Sequence, residues 1–119
     1  MPIIEIWTLP PDGEPRDVPA ALSAITTRVA NFLGEAPSGT WAILHPIVPG
    51  HYAEGSDTPA VQPRETHPTL VRVFAKREPD QVPDLLAVTG AAVVDALGLE
   101  EGNVVVRFEP AREDRMFSG

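Results

Sequence analysis

The chain has no cysteine, few aromatic residues and few basic ones. The absence of cysteine among its 119 residues excludes disulfide bonds and thiol catalysis, and it is compatible with a reducing compartment. Lys and Arg number 9 against 17 Asp and Glu, which gives a formal net charge of −8. This balance provides no basic stripe for phosphate groups, so we expect no nucleic-acid partner.

Long apolar runs are also missing. No segment approaches the length of a membrane span, and the first residues lack the basic-then-apolar order of a signal peptide. We therefore expect no membrane partner and a cytoplasmic location. A chain of this length forms one domain with a modest core, which favours self-association.

After the first residue, segments with the composition of strands and segments with the spacing of helices follow one another along the chain. Stretches rich in β-branched and aromatic residues predict four strands, and apolar residues at helical spacing predict two helices that each end at a glycine. In chain order the predicted elements are the strand Ile3–Trp7, a helix from Asp17 to Gly34, the strand Thr40–Leu44, the strand Thr69–Ala75, the helix Asp80–Leu97 and the strand Val104–Glu109.

The second half of the chain repeats the first. One constant shift of 64 residues, from Val18 to Val82, aligns the helix entry, the apolar stripe and the helix stop. The aligned pairs include Glu14 with Glu78, Pro15 with Pro79, Val18 with Val82, Pro19 with Pro83, Leu22 with Leu86, Val29 with Val93, Leu33 with Leu97 and Gly34 with Gly98. We interpret the whole chain, 1–119, as a single domain of two β-α-β repeats, about 2–57 and 69–119, with a Pro-rich connector at 58–68.

This repeat predicts an α+β fold. Two β-α-β units with right-handed crossovers, placed side by side, give a four-stranded sheet with both helices on one face. The other face stays uncovered and needs a partner, for which a closed ring of copies is the economical solution. Its side chains are expected among Ile3, Glu5, Trp7, Leu70, Arg72, Phe74 and the strand Val104–Phe108.

Pro2 is the first candidate for chemistry. If Met1 is removed, the nitrogen of Pro2 is a free secondary amine at the mouth of a strand. A cationic or apolar pocket lowers the pKa of such an amine toward neutrality, so that it can act as a general base. The alternative is that Pro2 is only a tolerated residue after the initiator Met.

A duplicated β-α-β chain that starts with Pro resembles the tautomerase superfamily. Its members include 4-oxalocrotonate tautomerase, macrophage migration inhibitory factor, malonate semialdehyde decarboxylase and the 3-chloroacrylic acid dehalogenases. The local matches are Pro2-Ile3-Ile4-Glu5-Ile6, Ala36-Pro37 and Gly50-His51-Tyr52-x-x-Gly55, and the tail 113–119 is similar to the decarboxylase-like branch.

The resemblance implies a cofactor-free enzyme that acts on small carboxylates through Pro2. It places Arg77, with Lys76, at the carboxylate, and Tyr52 against the catalytic proline. It also implies a homotrimer. Asp80 and Gly39 stand where dehalogenase-like and decarboxylase-like members carry an arginine and an aspartate, which argues against dehalogenation, hydration and decarboxylation. Gly13 matches Arg77 in the first repeat, so we expect one working site in each subunit.

The remaining polar candidates have simpler explanations beside the functional ones. Arg72 either binds substrate or pairs with Glu5 across the strands, and Arg107 has the same ambiguity. Arg112 and Arg115 are possible ligands in a neighbouring subunit, and His67 is expected to be solvated. His45, His51 and Glu54 fit no zinc pattern, so we expect no metal.

The sequence thus predicts a tautomerase or isomerase that moves a proton on a small 2-keto or unsaturated carboxylate with Pro2 as base. Three alternatives stay open. They are a tautomerase-fold protein that binds without turnover because Met1 blocks Pro2, a related hydratase or decarboxylase, and an unrelated ferredoxin-like regulatory domain.

Overall fold

The computed structural model describes residues 2–63 and 68–111, and it confirms the predicted order of elements. The elements are β1 (Ile3–Thr8), α1 (Val18–Leu33), β2 (Trp41–Pro46), β3 (Thr69–Ala75), α2 (Val82–Leu97) and β4 (Val104–Pro110). The predictions for His67, Arg112, Arg115 and the tail 113–119 lie outside the described residues.

The two helices begin and end as the sequence predicts, with one correction. The Asp17 carboxylate accepts a hydrogen bond from the Ala20 N–H at 3.2 Å and so caps α1, while Gly34 ends the helix with a φ of 69°. The second helix begins at Val82, not at Asp80. The residues Pro79–Gln81 form a separate 3-10 turn, because a capping box between Glu78 and Gln81 closes it.

The sheet has the strand order β2-β1-β3-β4. β1 runs parallel to β2 and antiparallel to β3, and β4 runs parallel to β3. Glu5 faces Arg72 at the centre of the antiparallel pair. Pro2 lies three residues before Glu5 and Thr69 lies three residues before Arg72, so the two positions are equivalent about this centre.

The strand bounds differ slightly from the predicted ones. β2 covers Trp41–Pro46 where the sequence predicted Thr40–Leu44, since residues 41–46 pair in register with Ile3–Thr8. β1 and β4 each extend one residue further than predicted. These changes leave the direction of every side chain as the alternation predicted.

One face of the sheet carries both helices and holds the core. Ile4, Ile6, Val71 and Val73 alternate along β1 and β3 and are almost fully buried. They pack in one cluster with residues of α1 and α2, namely Ala21, Ile25, Val29, Leu85, Ala92, Val93 and Leu97. The predicted arrangement of two helices on one face is confirmed.

The opposite face is uncovered in the single chain. Four large apolar side chains on it are 40% to 51% exposed: Trp41, Ile43, Leu70 and Val105. Several large apolar side chains exposed on one face of a sheet are characteristic of an interaction surface. Over the described residues, no helix combines the length and the apolar character that crossing a membrane requires.

Candidate active site

Pro2 lies directly before the central strand β1. It is buried, and its carbonyl accepts a hydrogen bond from the Trp41 N–H at 3.0 Å. Continuing the strand registers by one residue places Thr40 on one side of Pro2 and Ala75 on the other. Alternation along β1 directs the ring of Pro2 to the face of Ile4, which the helices cover. A group at this position is therefore shielded from bulk water.

Thr40 brings an unsatisfied hydroxyl to the surroundings of Pro2. Its side chain is buried, and its Oγ1 has no hydrogen-bond partner within the described part of the chain. Such a buried polar group costs about 1–3 kcal/mol. The sequence alone does not single out Thr40, because a single threonine at the start of a strand is an ordinary β-former. Its place opposite Pro2 in the parallel pair was the available signal.

Arg77 and Lys76 follow the end of β3, which lies beside the start of β1 because the two strands are antiparallel. The fold thus brings both cations to the Pro2 end of the sheet. The Arg77 side chain donates to Glu35 Oε1 at 2.7 Å and to the Lys76 carbonyl at 2.7 Å. Lys76 is exposed. Arg77 as a carboxylate ligand stays a prediction, and Glu35 is a competitor that the sequence did not reveal.

Tyr52 lies far from Pro2 within one chain. It follows the end of β2, which is parallel to β1, so six strand residues separate the two ends of the sheet. At about 3.3 Å per residue this corresponds to roughly 20 Å. Burial raises the pKa of the half-buried Tyr52, and the Glu54 carboxylate raises it further. The contact of Tyr52 with Pro2 that the resemblance implies stays a prediction.

Arg72 lies on the uncovered face and is held by two carboxylates. It donates to Glu5 Oε1, as predicted for the cross-strand pair, and its Nη1 lies 3.1 Å from Glu109 Oε2. The hydrogen bond that Arg72 donates to Glu5 is the main reason why the pKa of Glu5 is lowered, and the burial of Glu5 opposes this effect. Arg72 as a substrate ligand stays a prediction, and so does the role of the exposed Arg107.

Aromatic side chains extend the same network across the uncovered face. Trp7 stacks on His45 with ring centroids 4.8 Å apart, and the Arg72 guanidinium lies 5.7 Å from the Trp7 ring. His45 Nε2 also lies 3.3 Å from Glu5 Oε2. Among residues 2–63 and 68–111, no three His, Cys, Asp or Glu side chains are grouped as metal ligands.

The fold resembles that of several solved structures. A wild-type fused 4-OT described as a symmetric trimer is 19% identical, with 96% of this chain and 89% of that one covered and a TM-score of 0.73. A native fused 4-OT is 14% identical over 98% and 92%, with a TM-score of 0.76. A malonate semialdehyde decarboxylase is 13% identical over 98% and 90%, with a TM-score of 0.68.

The chain has the tautomerase fold. This confirms the fold that the resemblance predicted. No family model matches the sequence. A comparison with curated proteins gives no match either. The identities of these structures lie below the level at which an activity can be transferred, so they bear on the fold.

The far end of this tautomerase fold is closed by the connector. Thr69 lies there in the position equivalent to Pro2, and its Oγ1 is 2.9 Å from Thr8 Oγ1. The fully buried Gln62 completes the cluster, since its Oε1 accepts from the Leu9 N–H at 2.8 Å and from the Thr8 hydroxyl. Its Nε2 donates to Thr69 Oγ1. A side chain from the connector therefore fills the second of two equivalent positions.

The loop after β1 is longer than the loop after β3, which changes the residue that matches Arg77. Residues 9–17 separate β1 from α1, whereas residues 76–81 separate β3 from α2. Counting from the helices pairs Arg77 with Gly13, as the sequence analysis did. Counting outward from the Glu5–Arg72 pair gives Pro10. By either count, an uncharged residue stands where the second unit has Arg77.

Proposed function

We propose that this chain is a member of the tautomerase superfamily and works as a cofactor-independent tautomerase with the Pro2 amine as its base. The observation that carries the proposal is the buried position of Pro2 at the start of the central strand, beside Thr40 and the end of β3. The domain division 2–57 and 69–119 belongs to the same proposal.

The chemistry requires Met1 to be removed, so that the Pro2 nitrogen is a secondary amine. Burial disfavours the charged form of an amine, which leaves a lone pair available near neutral pH. The neutral amine takes a proton from the carbon next to the substrate carbonyl, and an enolate forms. The protonated amine then returns the proton to a second carbon, so that no atom or electron is gained or lost overall.

A cation beside Pro2 selects a carboxylate substrate. Arg77 presents a planar guanidinium that can bind a carboxylate in a bidentate fashion. In the chain as described it holds Glu35 at 2.7 Å, and a substrate carboxylate takes the place of that partner. Lys76 adds positive charge at the same end of the sheet. We therefore propose small 2-keto or unsaturated carboxylates as the substrate class.

A complete site also needs a second subunit. Tyr52 follows the end of β2, and that end of the sheet lies six strand residues, or roughly 20 Å, from the Pro2 end. The exposed Trp41, Ile43, Leu70 and Val105 favour association through the uncovered face. We propose a homotrimer, the state named for a fused 4-OT of this fold. Native mass spectrometry tests it, and Ile43→Glu is expected to give monomers.

The test of the base is turnover of phenylenolpyruvate by protein whose N-terminus has been verified by mass spectrometry. Mature protein is expected to ketonise the enol, and Pro2→Ala is expected to lose about 100-fold or more in kcat/KM. Pro19→Ala is the matched control, because Pro19 is exposed in the first turn of α1, which follows the far end of β1. Equal rates for Pro2→Ala and the mature protein would falsify the proposal.

A second experiment distinguishes the role of the Pro2 amine from that of the packing of the Pro2 ring. A short N-terminal extension keeps Pro2 and its ring but places the nitrogen in an amide. This protein is expected to fold with an unchanged unfolding midpoint and to show no turnover. Full turnover in the extended protein would exclude the amine as base. No turnover in the mature protein favours the alternative of a binding protein.

A further inference from the structure

An apolar cavity that is open to solvent lies at the end of the molecule opposite Pro2. It occupies about 500 Å³ between the loop after β1 and the loop after β2. Its walls are almost entirely apolar and include Leu9, Pro11, Val18, Leu44, Ile47 and Pro49. Prolines from both loops line the cavity, and each fixes the φ angle at its own position. Its volume is in the range of pockets that hold small molecules.

One charged side chain, Arg16, lines this cavity. Its Nη1 donates to the Leu9 carbonyl at 2.9 Å, and its Nε donates to the Leu97 carbonyl at 3.4 Å. Its Nη2 is buried and has no hydrogen-bond partner among the described residues. Burial lowers the pKa of Arg16, yet a guanidinium stays charged in proteins.

Arg28, Arg72 and Arg77 each pair with a carboxylate, and Arg16 does not pair with one among the described residues. Arg28 pairs with Asp95 at 2.6 Å, Arg77 pairs with Glu35, and Arg72 holds two carboxylates. Within residues 2–63 and 68–111, no carboxylate lies at salt-bridge distance from Arg16. A half-buried cation that only carbonyl groups satisfy is electrostatically incomplete, and it favours an anion from outside the chain.

We propose that this cavity binds a small amphipathic monocarboxylate, with the carboxylate on Arg16 and the apolar body between the two proline-rich loops. The charge of Arg16 complements one carboxylate, and the apolar walls complement a short aliphatic or aryl body. Within one chain the cavity is separate from the Pro2 site, since Thr8 and Leu9 lie at the other end of β1. The proposal therefore does not depend on the proposed tautomerase activity.

The test is titration calorimetry of the full chain with octanoate, with octanamide as the neutral isostere and acetate as the ligand without an apolar body. Octanoate is expected to bind one site per chain. Octanamide and acetate are each expected to bind at least about 10-fold more weakly, because each lacks one half of the recognition. Equal affinity for octanoate and octanamide would show a merely apolar cavity and overturn the proposal.

Variants locate the site. Arg16→Leu is expected to weaken octanoate binding at least about 10-fold, whereas Arg28→Leu, on the exposed face of α1, leaves it unchanged. Should Arg16→Leu fail to fold, Arg16→Lys keeps the charge without the planar fork and is expected to bind with intermediate affinity. Unchanged binding in whichever Arg16 variant folds overturns the proposal.

Mapping by amide chemical shifts separates this site from the Pro2 site. Octanoate is expected to shift the resonances of Val18, Leu44 and Ile47 and to leave those of Ile3 and Thr40 unchanged. Pro2→Ala is expected to bind octanoate as the wild type does. Shifts confined to the Pro2 end, or no binding at millimolar octanoate, overturn the proposal and leave the base assignment of Pro2 untouched.

Discussion

Thr69 occupies, in the second β-α-β unit, the position that Pro2 occupies in the first. Each lies three residues before one member of the central Glu5–Arg72 pair, and each is buried on the face that the helices cover. At the Thr69 end, Gln62 from the connector satisfies the hydroxyls and the Leu9 N–H. At the Pro2 end, the Thr40 hydroxyl stays unsatisfied within the described residues. The two equivalent positions therefore differ in whether the buried hydroxyl beside them has a hydrogen-bond partner among the described residues.

Gln62→Ala is expected to destabilise the fold by about 2 kcal/mol. It removes the hydrogen bonds that the buried Gln62 amide makes with the Thr8 and Thr69 hydroxyls and with the Leu9 N–H. Urea unfolding measures the change. Thr27→Ala, on the exposed side of α1, serves as the control and is expected to stay within about 0.5 kcal/mol of the wild type. A neutral Gln62→Ala would mean that water replaces the amide.

Thr40→Val is expected to stabilise the fold and to lower the turnover of phenylenolpyruvate. Removing a buried hydroxyl that has no partner raises the free energy of unfolding by about 1 kcal/mol, while phenylenolpyruvate turnover falls. Thr89→Val is the matched control, since its hydroxyl is also buried without a partner but lies in α2. It is expected to stabilise equally and to keep full activity. Equal activity of both variants would exclude a role for Thr40 at Pro2.

The pair between Arg77 and Glu35 is expected to set the KM. Arg77→Gln should raise the KM for a carboxylate substrate by about 10-fold or more and change kcat less, because it removes a charge-assisted hydrogen bond. Glu35→Gln should lower the KM by up to about fivefold by removing the competitor of the substrate. Asp95→Asn makes the same charge change at the Arg28 pair and should leave KM unchanged.

Glu5 should make stability dependent on acid pH. Its pKa in the folded chain is below the ordinary value of 4.5, chiefly because Arg72 donates a hydrogen bond to it. The unfolded chain therefore binds a proton at Glu5 more tightly than the folded chain does. The stabilising contribution of Glu5 is complete above its pKa in the unfolded chain, and it is lost as the pH falls through its pKa in the folded chain. Unfolding free energies measured from about pH 7 to about pH 3 should fall less steeply for Glu5→Gln than for the wild type.

The control for that series is Glu101→Gln, in the exposed turn after α2. It removes the same charge from a site where Arg72 is absent, so its pH profile should follow the wild type. If Glu5→Gln and Glu101→Gln give the same slope, the acid sensitivity arises from net charge and not from the Arg72 pair.

The sequence predicted the architecture because its signals are local and occur twice. Pro19 and Pro83 start the helices, Gly34 and Gly98 end them, and the alternation around Arg72 assigned its face correctly. The cross-strand pair of Glu5 and Arg72 followed from that alternation. Each of these features depends on neighbours a few residues away, or on the offset of 64 between the repeats.

The details of the site depend on contacts between distant residues, which no local pattern contains. Gln62 lies in a Pro-rich connector without periodicity, yet it is fully buried between two strands. Glu35, 42 residues from Arg77, competes for its guanidinium. Arg16 lies in the loop before α1, and its side chain donates to the carbonyl of Leu97 at the end of α2. The separation of Tyr52 from Pro2 follows from the parallel pairing of β1 and β2, which periodicity alone does not fix.

The closure by Gln62 also bears on how related sequences should diverge. Thr8, Gln62 and Thr69 bond to one another and to the backbone of Leu9, so exchanges among the three side chains are expected to be correlated, with a larger residue at one position balanced by smaller ones at the others. At the opposite end, substitutions around Pro2 are expected to follow the proposed substrate. Divergence among homologues should therefore follow folding at the buried Gln62 cluster and substrate chemistry around Pro2.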